Sequence, residues 1–468
     1  MALTLTIIFI AVGGLFAITL IKGFEAALPL FAFLVILFPG EARIDFGGLF
    51  ELTATRAIAA ALVILFIVFG KHPPQPGRET RLPLKVLLIL YAAWCIVSTA
   101  NSIVFTLSLK TVLESVLEFF LVYTIFAKSV SSIEMVHKIL AAAVAALVVC
   151  CVFGVVEQYT GWKVINLFPE VTHRFVVGAG GRLADSGRIK TTFPHPILFA
   201  NALALGIPWA LYLLGLAKTA AQKAFLWVAF ILMSWNMYKT LSRGPWLALA
   251  LSLFLLLLFS SGGLRKHLVV IALLTVSALI IRPGVWETLH NTYIETLDPE
   301  SARGGSYQYR YDLMRLARQE LAKDPRRAVW GFGPNSFPEL DLEAENPDTA
   351  HWDKFESCDS AFVEVALDTG YVGLFLVAAL LLRAALLAWK GFKTIPRPAN
   401  FLSLLFLINI GAYTFMMLSV ENFGWGQQTL MFWILIALSV TYSRLAVVQD
   451  VTAALRRHST SLPRPMAA

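Results

Sequence analysis

The run Ile139-Leu-Ala-Ala-Ala-Val-Ala-Ala-Leu-Val-Val-Cys-Cys-Val-Phe-Gly-Val-Val156 holds eighteen residues without one charged, amide or hydroxyl side chain. As a helix rising ~1.5 Å per residue it extends about 27 Å, close to the ~30 Å hydrocarbon core of a bilayer. A helix on the surface of a soluble protein needs a polar face, and this run has none. Similar runs recur on both sides of it, and hydropathy places candidate spans at 3–21, 24–39, 54–70, 84–103, 108–127, 136–157, 196–217, 223–240, 244–262, 267–283, 359–388, 401–420 and 428–447. The expected fold is all-α, a polytopic transmembrane bundle of about 12–13 spans with one large outer loop. Strands of an outer-membrane barrel would be shorter and alternating.

Composition agrees. Of 468 residues, 58% are hydrophobic and 15% charged, too little charge to cover a soluble surface. The net charge of +8 could point to nucleic acid, but the basic residues follow alternate spans. They stand at Lys71, Arg78 and Arg81, at Lys128, Lys218, Lys223, Arg265 and Lys266, and at Lys390, Lys393, Arg397, Arg444, Arg456 and Arg457. The positive-inside rule assigns those loops to the cytoplasm, so the charge reads as topology and no nucleic-acid partner is expected. The opposite loops are 40–53, 158–195, 240–243, 284–358 and 421–427. The chain thus divides into ten helices over 1–283, a periplasmic loop domain over 284–358, three helices over 359–447 and a cytoplasmic tail over 448–468. The tail shows no periodic pattern beyond Asp450 and is expected to be disordered.

The first run lacks a preceding basic stretch and a small-residue cleavage site, so it is expected to remain as a helix with its N-terminus outside. Four cysteines are too few for a disulfide scaffold; Cys95, Cys150 and Cys151 fall in apolar runs, while Cys358 reads as exposed. Within the large loop, Tyr309, Leu313, Leu316 and Leu321 recur at helical spacing opposite Arg315, Arg318 and Lys323, and Pro325 stops the pattern. That is an amphipathic helix, expected to lie at the outer membrane interface.

Charged residues at membrane depth or helix mouths are costly and call for a reason. Thr240-Leu-Ser-Arg243-Gly-Pro-Trp246 puts an arginine at the outer mouth of the ninth span, where an interfacial anchor beside Trp246 and a ligand-binding cation are equally good readings. The approach to the seventh span concentrates Arg182, Arg188, Lys190 and His195, against the charge rule, although a solvated loop would also look like this. The large loop carries Arg303-Gly-Gly-Ser-Tyr-Gln-Tyr-Arg310 and then Trp330-Gly-Phe-Gly-Pro-Asn-Ser-Phe337, whose glycines permit a tight turn presenting backbone donors. Last, His351-Trp-Asp-Lys-Phe-Glu-Ser-Cys-Asp359-Ser360 runs into the eleventh span, with Asp359 as either an N-cap or a general base. Glu364, Asp368 and Glu421 are further acids near that face. Several arginines could clamp a diphosphate, and a carboxylate or histidine could take a proton from a hydroxyl. No His-Glu-x-x-His or paired Asp-x-Asp spacing is present, which favours chemistry without a metal or other cofactor.

In this order and at these places among the spans, the four segments resemble the O-antigen ligase and O-antigen polymerase superfamily of bacterial envelope polysaccharide enzymes. The correspondence lies in Arg188 with Thr192-Phe193 and Pro196, in Ser242-Arg243-Gly244, in Arg310 with Gly331-Phe332-Gly333, and in Asp359-Ser360 with Asp368-Thr369-Gly370 and Gly373. Ligases of the family typically carry a histidine where this chain has Asp359, which leaves Asp359 or His351 as the base and ligase or polymerase as the activity. The resemblance implies a multi-pass enzyme of the bacterial inner membrane with its active site facing the periplasm. Its donor would be an oligosaccharide on undecaprenyl diphosphate, and its acceptor a hydroxyl of a glycan or of a lipid A core. Arg188, Arg243 and Arg310, with Arg182 and Lys190, would hold the diphosphate, and transfer would be inverting and metal-independent. Membrane lipids would surround it, and a flippase and a chain-length regulator would be natural partners. Two other classes remain open: a lipid-linked glycan flippase or transporter, and a non-catalytic subunit of a polysaccharide export complex. A transporter would lead one to look for paired helix interruptions in two related halves, which the sequence does not display, and gives no reason for the long outer loop.

Overall fold

A computed structural model describes residues 2–39, 42–45, 51–70, 82–168, 187–260, 265–273, 284, 287, 290–291, 293–294, 302–345, 352–355, 357–421, 423 and 426–460. The chain begins with α1 (Ala2–Lys22), α2 (Ala27–Leu37), a short hairpin of β1 (Arg43–Asp45) and β2 (Glu51–Thr53), α3 (Ala54–Phe69) and α4 (Lys85–Ala100). Next, α5 (Phe105–Ser115) continues through a π-helical turn, Val116–Leu121, into α6 (Val122–Ser129). Then come α7 (Ile133–Thr160), α8 (Pro196–Leu216), α9 (Ala220–Lys239) and α10 (Arg243–Phe259). The loop domain supplies α11 (Ala302–Lys323), α12 (Pro325–Trp330) and a hairpin of β3 (Glu343–Glu345) and β4 (Trp352–Lys354). The chain closes with α13 (Ala361–Thr394), α14 (Asn400–Met416) and α15 (Gln427–Thr460).

The protein is an all-α, multi-pass membrane bundle. Among the described residues five helices are long and apolar enough to cross a membrane: Leu3–Lys22, Ile133–Thr160, Pro196–Leu216, Ala361–Thr394 and Gln427–Ala446. Shorter apolar helices stand at five of the other expected positions, α5–α6 and α9 occupy 108–127 and 223–240, and the run at 267–283 is described as helix only over 265–273. The centre of the bundle is α8 and α15, whose apolar windows are 89% and 83% buried, against 28% for α1 and 33% for α13. At Gly206 the Leu147 side chain packs close against α8: a Cβ there would stand 2.2 Å from Leu147 Cδ1, so that side chain would have to turn aside.

Several connections meet at one end of the bundle. Gln427 Nε2 donates to Ile36 O at 3.3 Å, Phe38 O at 2.9 Å and Thr192 O at 3.2 Å, tying the end of α2, the approach to α8 and the start of α15 together. Ile8 of α1 packs at this end with Ala42, Ile44, Ala54 and Phe168. At the opposite end Ser131 donates to Glu25, Tyr442 to Ala399 O and Arg444 to Ala127 O.

Three expectations need correction. The apolar face of α11 does not lie open toward the membrane: Leu313, Ala317 and Leu321 are buried against Phe337, Leu342, Phe355, Cys358 and the first turns of α13. A helix with one apolar face is covered as well by protein as by lipid, and here the loop folds back to cover it. Cys358 belongs to the same core, 2% exposed, rather than standing free at the surface. Finally, α15 continues to Thr460, so the backbone of 450–460 is helical; Ala453, Ala454, Leu455, Arg456 and Arg457 are strong helix formers, and no proline intervenes before Pro463.

Candidate functional site

Arg188 lies ahead of α8 and reaches across to the α9–α10 turn. Its Nε donates to Thr240 O at 2.8 Å and its terminal nitrogen to Ser242 Oγ at 3.0 Å. This places Arg188 beside Arg243, the first residue of α10. Two features shape the turn. Leu241 adopts a left-handed φ of 49°, and Gly244 lets the first turn of α10 approach Ser419, whose Oγ a Cβ would meet at 2.9 Å. The facing turn is also left-handed: Thr191 has φ 57°, for a β-branched residue a conformation costing about 1–3 kcal/mol. Two strained non-glycine residues thus flank the two arginine-bearing turns. Such strain concentrates where side chains must be aimed.

Burial first, then the charges of Arg243 and Arg310, lower the Arg188 guanidinium from its ordinary value to about 10. It stays cationic at neutral pH, yet three neighbouring guanidinium groups repel one another in a partly dry setting. A multiply charged anion would relieve that repulsion. His195 is part of the same field: burial, then Arg188, Lys190 and Arg310, push its ring down to about 3. Its Nδ1 accepts the Ile197 N–H at 3.1 Å, so His195 caps α8 as a neutral imidazole, with Pro196 at the first helical position.

Arg310 comes from α11 and meets Asp359 at 3.0 Å. Asp359 is not the N-cap of α13; Ser360 holds that place. The Asp359 carboxylate turns instead to Arg310 and to Ser357, whose hydroxyl donates at 3.1 Å. Burial raises the carboxyl above the ordinary aspartate range, and Arg310 and Ser357 pull it back only in part. Tyr309 sits one residue before Arg310, and its hydroxyl donates to Ser357 O at 2.7 Å, fixing the start of α11 over the Asp359 segment.

Gly331-Phe332-Gly333 has a clear structural task. Its backbone donors point into α13: Phe332 N–H bonds Leu367 O at 2.7 Å and Gly333 N–H bonds Asp368 O at 2.9 Å. A Cβ on Gly331 would lie 2.4 Å from the Asp368 carbonyl, and one on Gly370 only 2.2 Å from Val329 O. Gly370 kinks α13 with φ 68° so that the two chains can touch. The Asp368 carboxylate then accepts the N–H groups of Asn335 at 2.9 Å and Ser336 at 3.3 Å. From α4, Trp94 stacks on Trp330 at 5.6 Å and donates to Thr369 O, and Ser98 donates to Asp368 O at 2.6 Å. The loop domain is thereby fastened to α4 and α13 beside Asp359.

Arg188, Arg243, Arg310, Lys190 and Asp359 are therefore brought to one end of the bundle; Arg182 and His351 lie outside the described residues. Among the described residues no group of three or more His, Cys, Asp or Glu is placed to hold a metal ion. Glu157, a buried acid at the end of α7 outside the sequence candidates, accepts the Thr191 N–H at 2.9 Å.

The stretch from α9 into α13, residues 228–378, matches the family model described as O-antigen ligase. This supports the resemblance to the O-antigen ligase and polymerase superfamily. No curated protein matches the chain. The O-antigen ligase match takes in Arg243, Arg310, the Gly331–Gly333 turn, Asp359 and Gly370, while Arg188, Lys190 and Glu157 precede it.

Proposed function

We propose that the protein is a glycosyltransferase of the bacterial inner membrane, working on its periplasmic side, that moves a glycan from undecaprenyl diphosphate to an acceptor hydroxyl. The observation that carries this reading is the convergence of Arg188, Arg243 and Arg310 at one mouth of a lipid-embedded bundle, with the Asp359 carboxylate bonded to the third of them. Lipid-facing helices suit a polyprenyl tail, and three cations suit its diphosphate. Lys190 adds a fourth positive charge to the field.

In the step proposed, the acceptor oxygen attacks the anomeric carbon from the face opposite the diphosphate. The new C–O bond forms as the old one breaks, the bonding pair leaves with the diphosphate, and the hydroxyl proton passes to Asp359. Configuration inverts. The diphosphate competes with Asp359 for Arg310, so arrival of the donor loosens the ion pair and frees the carboxylate for the proton. Charge on the leaving group is stabilised by a preorganised clamp, the effect with the largest leverage in a water-poor site.

Purified protein in liposomes, given lipid-linked oligosaccharide and an acceptor glycan, tests the reading. A longer or newly joined glycan supports it; movement of the lipid across the bilayer without a new glycosidic bond favours the flippase reading. The same assay run with a lipid A core acceptor separates ligase from polymerase.

A further inference from the structure

Glu157 is 5% exposed in the last turn of α7, and its carboxylate faces the Lys190–Thr191 turn. It accepts the Thr191 N–H at 2.9 Å and lies 3.4 Å from the Lys190 nitrogen through both oxygens. Successive N–H groups in a turn form a concave anion site, and here a side chain of the protein fills it. One turn earlier in α7, Gly154 makes room: a Cβ there would meet Asn236 Oδ1 at 2.0 Å and Thr191 Cγ2 at 3.1 Å. Asn236 in turn donates to Cys151 O at 3.2 Å, so α7, α9 and the turn lock at one point.

Both ends of the turn are tied down. Ile189 N–H bonds Lys239 O at 3.4 Å, and Thr192 O accepts from Gln427. Between these ties Thr191 holds φ 57°, a conformation that persists only where the surrounding structure enforces it. Arg188 stands immediately upstream, aimed at Thr240 O and Ser242.

We infer that Glu157 is a positioning residue: by holding the Lys190–Thr191 turn in its left-handed form it aims Arg188 at the α9–α10 turn beside Arg243. The inference rests on the reading that Arg188 binds the donor diphosphate. Glu157 touches no substrate and acts only through Arg188.

A double-mutant cycle on undecaprenyl diphosphate binding, in detergent with monodisperse protein, tests it. Arg188→Ala weakens binding about tenfold or more. Glu157→Ala weakens it about three- to tenfold, and adds less than about twofold on top of Arg188→Ala, because the two act as one unit. Glu157→Gln stays within about fivefold of the parent, since its amide oxygen still accepts the Thr191 N–H. Gly154→Ala, which displaces the same turn without removing the carboxylate, behaves as Glu157→Ala does and serves in its place should that variant not fold. Independent, multiplying losses, or a Gln variant as weak as Ala in folded protein, would overturn the inference while leaving the donor site intact. Unchanged binding by Arg188→Ala would overturn the donor-site reading and the inference together.

Discussion

Arg310 and Asp359, forty-nine residues apart, are joined by a 3.0 Å ion pair at the junction of the loop domain and α13. A general base bonded to a guanidinium is held in check, and a clamp arginine bonded to a carboxylate is partly neutralised. The pair therefore couples the two halves of the proposed reaction: what takes one partner releases the other.

The pairing gives a pH dependence with a definite sign. Burial raises the Asp359 carboxyl and Arg310 opposes that rise. Transfer needs the carboxylate, so the rate falls on acidification, with an inflection above the ordinary aspartate value of about 3.9. Arg310→Gln removes a lowering influence in the donor-free enzyme, so the acid limb of the kcat/KM profile moves to higher pH. A limb that stays in place or moves down would separate Asp359 from the proton transfer.

Docking of the loop domain depends on glycines that nothing else can replace. Gly370→Ala places a Cβ against Val329 O in a backbone conformation that disfavours side chains, and should destabilise the protein by about 2–4 kcal/mol. Gly13→Ala, with nothing within 4 Å, should leave thermal stability in detergent nearly unchanged. Paired melting curves by intrinsic fluorescence check the contrast.

Asp368 serves the same junction electrostatically. Asp368→Ala leaves the Asn335 and Ser336 amides without their carboxylate acceptor, each worth about 1–3 kcal/mol where water cannot enter. Faster proteolytic cleavage within 331–345, with α13 still intact, is the expected result.

A second charge cluster joins α3 to the α5–α6 helix. Arg56 bonds Glu114 at 2.7 Å and Glu118 at 2.8 Å, and the π-helical turn Val116–Leu121 carries the second acid. Arg56→Met removes the cation shared by both carboxylates and should cost about 3–5 kcal/mol, whereas Arg56→Met with Glu114→Gln and Glu118→Gln should recover much of the loss. Thermal midpoints of the single and triple variants decide between them.

The helices were legible in the sequence because the bilayer demands long uncharged runs, as at 139–156. Arg188 and Arg243 stood out as candidates because outer-side arginine breaks the positive-inside rule, and Asp359 because it stands where the outer loop runs into the eleventh span. What escaped were relationships between distant segments. Nothing in Glu157 announces a partner in Thr191, and no glycine marks the left-handed Thr191 or Leu241. Gly331-Phe332-Gly333 offered backbone donors to any acceptor; only folding shows that α13 takes them. The apolar face of α11 looks the same whether lipid or Phe337 and Phe355 cover it.

Arg243 sits at the head of α10 beside Arg188. Glycan transfer by Arg243→Ala, measured against the parent at equal protein in the membrane, should fall about 10²- to 10³-fold, the scale of losing one preorganised donor to a charged transition state. Undiminished chain formation by that variant would contradict the diphosphate clamp.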